Sequence, residues 1–289
     1  MPRTLIRDAS AYLLARSPHE RYAALLRLQG EGRTANGSSW LSASETSLAA
    51  PRDARAPFSD AGAFDGTAPS AAAWQLSVRR GHRVVVDVAF DGGPIFIDLF
   101  RAAGLDHVAS AARGETRLVH DVEQDMDLVL RVQPELHGGG AYRLEQRSEA
   151  SMAFPVQGLT PRAVQSGFGA SREDGRRTHE GVDIFAKKGT PVVAALDGWV
   201  GGSTVNGLGG NVVWVWSPFR GVRTYYAHLD QHAVSPGSRV IAGDVVGYVG
   251  TTGNARGGPP HLHFGVYATG AGSVDPLPYI CDAPCGARR

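Results

Sequence analysis

The chain has 289 residues and a formal net charge of +1, and 43% of its residues are hydrophobic. This length accommodates one large domain or two modest domains with a substantial core. The near-neutral charge argues against a nucleic-acid-binding protein, and the sequence has no apolar run long enough to predict a transmembrane segment.

The N-terminal segment, residues 1–30, is predicted to be helical. Ser17 has the character of an N-cap, because Pro18 follows at the first helical position and Glu20 stands three residues after the cap. The apolar residues of 22–28 then recur with helical periodicity. We therefore expect a helix that starts directly after Ser17.

Two further segments follow before the C-terminal half. Residues 31–70 are rich in Ala, Ser, Gly, Asp and Pro, so we expect a linker or a loosely packed wrap there. Residues 71–150 contain short runs that alternate or are rich in β-branched residues, such as 83–90 and 128–132. Strands at this spacing predict a small antiparallel β-sandwich.

The last segment, residues 151–289, is predicted to consist of antiparallel strands between Gly-rich turns, with an open groove. Alternation places Trp214 and Trp216 on one face, and we expect this pair to pack in the core. Tyr225 and Tyr226 are further candidates for residues that line the groove. The predicted fold class is thus mainly β, with a short helical segment and a small sandwich before an antiparallel C-terminal domain.

A His-x-His pair near the end of the chain predicts a polar site on one face of a strand. If His261 and His263 lie in an extended strand, both point to the same side. Leu262 and Phe264 then point to the other side, towards a core. This arrangement displays two imidazoles on a surface that the core holds in place.

A second polar segment, His179-Glu-Gly-Val-Asp183, offers a complementary set of ligands. Read as a strand, it places His179 and Asp183 on one face, with Gly181 between them leaving room for an ion and its water. Two imidazoles and one carboxylate that meet at a point suit catalytic zinc, which takes three protein ligands and keeps one open position. The sequence therefore predicts a zinc hydrolase.

The order of motifs around these residues is more specific than either motif alone. The motifs are Gly167-Phe-Gly169, His179–Asp183, Gly189-Thr-Pro-Val192, Asp197-Gly-Trp-Val200, Tyr225-Tyr-Ala-His228-Leu, Gly243-Asp-Val-Val-Gly247 and His261-Leu-His-Phe264. This series resembles the lysostaphin/LytM-type zinc metallopeptidases, which cut peptide cross-links of bacterial cell walls. The resemblance covers roughly residues 154–280.

The resemblance implies roles for five residues. It makes His179, Asp183 and His263 the zinc ligands, and it makes His228 and His261 catalytic histidines that do not bind the metal. The implied activity is that of a zinc metalloendopeptidase acting on peptidoglycan stem peptides or cross-bridges, either at a D-amino-acid cross-link or at a glycine bridge. The alternative is a non-catalytic wall-binding or hydrolase-activating module of the same fold, against which the five intact residues count.

The two ends of the chain carry separate expectations. The implied substrate lies in the cell envelope, yet residues 1–8 have charges where an export signal needs an apolar run. We therefore expect a periplasmic or secreted protein in a mature or engineered form whose signal has been removed. At the other end, Cys281 and Cys285 form either a small disulfide or two free thiols.

Overall fold

The computed structural model describes residues 10–172 and 175–282, and the chain divides into two compact units, Met1–Glu149 and Ala150–Arg289. Both units consist mainly of antiparallel strands, which confirms the predicted fold class. Among the described residues, no helix is both long and apolar enough to cross a membrane.

After a helical segment at residues 10–14, the first unit has two longer helices, α1 (Pro18–Leu28) and α2 (Ala35–Ala49). The predicted start of α1 is confirmed, because the Ser17 hydroxyl accepts a hydrogen bond of 3.1 Å from the backbone N–H of Glu20. The strands that follow are β1 (Arg52–Asp53), β2 (Phe58–Phe64), β3 (Ala72–Val78), β4 (His82–Phe90), β5 (Ile95–Arg101), β6 (His107–Ser110), β7 (Arg117–Asp121), β8 (Met126–Pro134) and β9 (Gly140–Ala150).

These strands form a sandwich of two sheets. One sheet has the order β1-β3-β8-β5-β6 and the other the order β2-β9-β4-β7. Side chains from both sheets meet in one core, which includes the fully buried Leu99 and Leu130 of the first sheet and Val86 and Leu144 of the second. The alternation of apolar residues along each strand thus produces the shared interior.

Residues 31–70, which we predicted to be a linker or a loosely packed wrap, contain the regular elements α2 and β2. The Thr34 hydroxyl accepts a 3.0 Å hydrogen bond from the backbone N–H of Gly37 and caps the start of α2. Trp40, only 1% exposed, anchors the helix by donating its indole N–H to the carbonyl of Pro134 at 2.8 Å. Strand β2 pairs along its whole length with β9. The small and polar residues of this segment show no clear helix or strand pattern, so the sequence predicted neither element.

The second unit contains the remaining strands and one short helix, α3 (Leu277–Ile280). Its strands are β10 (Val164–Ser166), β11 (Ser171–Arg172), β12 (Arg177–Thr178), β13 (Val182–Phe185), β14 (Pro191–Val193), β15 (Gly198–Asn206), β16 (Gly210–Ser217), β17 (Val222–His232), β18 (Arg239–Val240), β19 (Val245–Val249), β20 (His261–Ala268) and β21 (Gly272–Val274).

The main sheet of this unit runs in the order β10-β13-β20-β17-β16-β15-β18. Strand β17 pairs with β20 as far as Ala227 and then changes partner, pairing with β19 from Leu229 onwards. His228, between these two residues, has a left-handed backbone with φ of 62°. The change of partner therefore fixes an unusual backbone at a predicted site residue.

One face of this sheet is buried and the other carries polar and aromatic side chains. Leu262 and Phe264 are fully buried, as the His-x-His pattern predicts. Trp214 and Trp216 do share one face, but their predicted place in the core is wrong, because Trp216 is 46% exposed and Trp214 is half-buried. The core of the unit is instead filled by Val, Leu and aromatic residues of the opposite face, including Tyr226.

Candidate metal centre

Three predicted ligand atoms converge at the paired strands β13 and β20. Nε2 of His179 lies 3.0 Å from Oδ1 of Asp183 and 2.9 Å from Nδ1 of His263. The remaining side of this triangle, between His263 Nδ1 and Asp183 Oδ1, measures 3.0 Å. These residues form a group whose geometry could hold a metal ion.

Neighbouring elements place the three side chains. Asp183 and His263 are direct partners in the pairing of β13 with β20, so their side chains lie next to each other on one face. His179 precedes β13 and is not part of a strand, contrary to the strand interpretation of the whole segment. Its backbone exchanges hydrogen bonds with Gly169 and Ala170, at 2.8 and 2.9 Å, which hold the histidine over the end of β13.

The hydrogen bond of His179 to the backbone leaves one ring nitrogen for the triangle. Nδ1 of His179 lies 2.8 Å from the carbonyl oxygen of Gly167, to which only an N–H can donate. In the neutral ring, Nε2 therefore presents a lone pair towards Asp183 and His263, where it could bind a metal ion. Tetrahedral ligand atoms about 2.0–2.1 Å from zinc stand about 3.3 Å apart, close to the 2.9–3.0 Å separations of this set.

Gly181 has a different role from the one predicted. A Cβ atom at this position would lie 2.5 Å from the carbonyl oxygen of Phe264 and 2.8 Å from the ring atoms Cε1 and Nε2 of His263. The space beside Gly181 is therefore filled by the neighbouring strand and its imidazole, not reserved for an ion and water. The glycine allows β20 to bring His263 close enough to meet the other two ligand atoms.

His228 reaches the same region from β17. Its Nδ1 lies 2.9 Å from the carbonyl oxygen of Thr252, and its ring centroid lies 6.0 Å from that of His263. Because Nδ1–H donates to this backbone carbonyl, Nε2 is the ring nitrogen that a substrate can meet. The positive φ of His228 costs on the order of 1–3 kcal/mol, which the surrounding strand pairings must offset.

A hydrogen bond to a backbone carbonyl also orients the ring of His261. Its Nδ1 lies 3.0 Å from the carbonyl oxygen of Pro259, and its ring stacks on Phe185 with a centroid distance of 5.1 Å. The rings of His261 and His228 are 5.0 Å apart. All five predicted site residues, together with Tyr225, line one cavity of about 280 Å³.

Burial determines the charge states of several groups in this cavity. It lowers the pKa of His228 to about 4, with a further contribution from the imidazoles of His261 and His263. Burial also lowers the pKa of His263. For Asp183, burial acts to raise the pKa, but the neighbouring imidazoles of His179 and His263 outweigh it and hold the pKa well below its usual range. Near neutral pH, His228 and His263 are therefore uncharged, while Asp183 is a carboxylate.

Sequence reasoning missed one charged residue beside the triangle. The guanidinium of Arg172, on β11, donates hydrogen bonds of 2.6 Å both to Oδ2 of Asp183 and to the Ser166 hydroxyl. No ligand motif includes this arginine, and the pairing of β11 with β12 brings it to the site. The predicted Cys281–Cys285 pair cannot be compared in the same way, since Cys285 lies outside the described residues.

Comparison with known proteins identifies the second unit. Residues 177–276 match the model of peptidase family M23. An L-Ala–D-Glu endopeptidase of Bacillus subtilis is 36% identical over 139 residues, which cover 44% of this chain and 42% of the relative. The glycyl-glycine endopeptidase ALE-1 of Staphylococcus capitis is 37% identical over 113 residues, covering 38% of this chain and 31% of the relative.

A solved structure is also similar in sequence. The catalytic domain of lysostaphin from Staphylococcus simulans is 30% identical, and the match covers 41% of this chain and 93% of that domain, with a TM-score of 0.37. The chain spans less than half the length of each of the two curated relatives. Residues 177–276 of the second unit are thus a peptidase M23 domain.

Proposed function

We propose that this chain is a zinc-dependent endopeptidase that hydrolyses peptide bonds of bacterial peptidoglycan. The observation that carries the proposal is the triangle of His179, Asp183 and His263, whose ligand atoms lie within 3.0 Å of one another. Relatives in the same family are named endopeptidases, and their names specify different bonds. The proposed activity places the protein at the cell envelope, where its substrate lies.

The two remaining histidines are suited to proton transfer. Zinc at the triangle would polarise the scissile carbonyl and lower the pKa of a water molecule. His228 and His261 each bind a backbone carbonyl through Nδ1 and thereby leave Nε2 for the substrate. One of them accepts a proton from the attacking water, and the other donates a proton to the leaving amine or steadies the oxyanion.

Metal analysis combined with a digestion assay tests the proposal. The purified full chain should contain one zinc ion and should release soluble fragments from purified peptidoglycan. A chelator should stop the release, and added zinc should restore it. Mass spectrometry of the fragments would identify the bond, whether a D-amino-acid cross-link, a glycine bridge or the L-Ala–D-Glu bond.

Variants of the ligands separate the proposal from its alternative. Replacing His179, Asp183 or His263 by Ala should abolish both zinc content and hydrolysis, because two protein ligands and water make a poor site. Full zinc occupancy in Asp183→Ala would remove this residue from the ligand set. Zinc binding with no hydrolysis of any wall by the wild-type chain would favour the non-catalytic, wall-binding alternative.

A further inference from the structure

Three tryptophans and one arginine form a platform beside the candidate metal centre. Trp199 of β15 and Trp216 of β16 are direct partners in the sheet, and Trp216 also pairs with Arg223 of β17. Trp214 precedes Trp216 by two residues and therefore lies on the same face of β16. We call Trp199, Trp214, Trp216 and Arg223 the aromatic platform.

The platform is exposed to solvent and borders a shallow cavity. Trp199 is 40% exposed and Trp216 is 46% exposed. Trp214, Trp216 and Arg223 line a shallow cavity of about 390 Å³ together with Gly201, where an added Cβ would meet no atom within 4 Å. The missing side chain at Gly201 keeps the space in front of the indoles open. Exposed apolar surface of this kind marks a binding site more often than a single exposed residue does.

The platform continues into the candidate metal centre through stacked rings. The ring centroids of Trp214 and Tyr225 are 4.4 Å apart, and those of Tyr225 and His263 are 5.9 Å apart. Trp214 also lies 5.1 Å from Tyr267, measured between ring centroids. One face of the sheet thus runs without a break from the predicted zinc ligands to the indoles.

The chemistry of the platform favours a carbohydrate over a second peptide segment. Strands β15, β16 and β17 have their backbone groups paired within the sheet, so they cannot add a peptide strand to their faces. On this face, only the side chains of these strands are available to a ligand. Pyranose rings have apolar C–H faces that stack on indoles, while their hydroxyl groups stay in water. Aromatic rings are large, stiff contact surfaces with one polar edge, which suits such a ligand.

The positive charge of Arg223, at the β17 edge of the platform, agrees with this ligand. Among the residues that the structure describes, Arg223 makes no hydrogen bond or ion pair. Its guanidinium is therefore available to a carboxylate, with which it forms bidentate hydrogen bonds. The peptides attached to wall sugars carry such carboxylates.

The distance from the metal centre matches the geometry of the wall. Trp216 lies opposite Arg223, four residues along β17 from Ala227, the partner of His263. At about 3.3 Å per residue along a strand and about 4.8 Å between strands, Trp216 lies on the order of 15–20 Å from the metal centre. A stem peptide of about five extended residues covers this distance at roughly 3.3 Å per residue. A stem with its cleaved bond at the metal centre would therefore place its sugar over the platform.

We propose that the aromatic platform is a subsite for the glycan strand of peptidoglycan. The proposal rests on the proposed function for its choice of polymer, but the binding itself requires no hydrolysis. Sugar rings stack on Trp199 and Trp216, and Arg223 pairs with a carboxylate of the attached peptide. The subsite directs the enzyme to peptides that are still attached to the wall.

Peptide-free glycan strands test the subsite without any catalytic step. The full chain should bind these strands, and Trp199→Ala or Trp216→Ala should weaken binding about tenfold or more, as expected for an aromatic anchor. Trp216→Tyr, which keeps a stacking ring, should restore most of the affinity. Phe219→Ala is the matched control, because Phe219 is 90% exposed and lies in a turn outside the platform.

Hydrolysis provides a second readout. The ratio of activity on intact wall to activity on a sugar-free cross-linked peptide should fall about tenfold in the platform variants, and not in Phe219→Ala. Absence of glycan binding by the wild-type chain would overturn the subsite, as would an equal loss on both substrates. Glycan binding by a chain that cleaves no wall would instead overturn the proposed function and leave the subsite standing.

Discussion

Arg172 and Asp183 form an ion pair of 2.6 Å through Oδ2, the carboxylate oxygen outside the triangle, and Nη2 of Arg172 also lies 3.1 Å from Nδ1 of His179. Oδ1 of Asp183 completes the triangle, while Oδ2 is held by the guanidinium. Groups that hydrogen-bond to a ligand fix its orientation and leave one oxygen for the metal. Arg172 is thus a positioning residue for the proposed zinc site, although its positive charge also lies close to the ion.

Replacing this arginine should weaken zinc binding. In Arg172→Ala, we expect the affinity for zinc to fall about 10- to 100-fold, the usual effect of losing a partner of a metal ligand. Competition with a chelator of known affinity measures the change. Arg172→Lys should recover part of the affinity, since it keeps the charge and one donor. Unchanged or tighter zinc binding in Arg172→Ala would show that the guanidinium only occupies a carboxylate that the metal would otherwise hold.

Substitution of the two non-ligand histidines should separate metal binding from the reaction. His228→Asn and His261→Ala should each retain zinc but lose activity on the order of a hundredfold or more, because a positioned acid or base is removed. Asparagine is chosen at residue 228 because it tolerates a left-handed backbone. The control is His232→Ala, at the end of the same strand and outside the lining of the cavity. Wild-type turnover in either variant would assign that histidine a structural role.

Gly181 should be intolerant of even one methyl group. In Gly181→Ala, the new Cβ must displace either the Phe264 carbonyl or the His263 ring, and such overpacking costs about 1–3 kcal/mol. We expect a lower free energy of unfolding and weaker zinc binding, measured by denaturant unfolding and chelator competition. Gly207→Ala serves as the control, because no atom lies within 4 Å of its added Cβ. Equal behaviour of the two variants would show that β20 moves aside at little cost.

The site was largely predictable because its residues occur in short motifs. His261 and His263 lie two apart on β20, and strand alternation alone put both on the polar face. The position of His179 was not predictable in this way, because backbone hydrogen bonds to another loop set it. Arg172 was missed for the same reason, since only the pairing of β11 with β12 brings it to Asp183.

The sequence predicted the fold less well where a secondary-structure element depends on a single long-range contact. The segment 31–70 has no repeated apolar pattern, yet Trp40 anchors a helix there. Trp214 and Trp216 were assigned to the correct common face, but alternation does not say which of the two faces is buried. Burial of that strand face depends on which other elements cover the sheet, and this information is not local to the strand.

The helices of the first unit are joined to the sandwich by a buried polar network around His19. Its ring stacks on Trp40, with centroids 4.7 Å apart, and its Nε2 lies 2.7 Å from Oε1 of Gln133. The amide group of Gln133 in turn donates to the carbonyl of Trp40 at 2.9 Å. His19 is only 4% exposed, so its protonation state affects the attachment of both helices.

Burial, together with the positive charge of Arg131, lowers the pKa of His19 to about 4. Asp98 acts in the opposite direction and Arg27 adds to the lowering. The ordinary pKa of histidine, 6.5, applies to the unfolded chain. Between these two values, the unfolded chain binds a proton that the folded chain does not. The neutral ring therefore contributes stability that is complete above pH 6.5 and is lost as the pH falls to about 4.

Acidification should consequently loosen α1 and α2 before it affects the rest of the first unit. Titration from pH 6.5 to about 4 corresponds to a loss of about 3 kcal/mol, of which about 2 kcal/mol is lost by pH 5. Hydrogen exchange of the amides in both helices, at pH 7 and pH 5, measures the loss locally. His19→Gln cannot titrate and should flatten the pH dependence, whereas His137→Asn, at an exposed position, should not. If wild type and His19→Gln lost protection in parallel, another group would be responsible for the acid sensitivity.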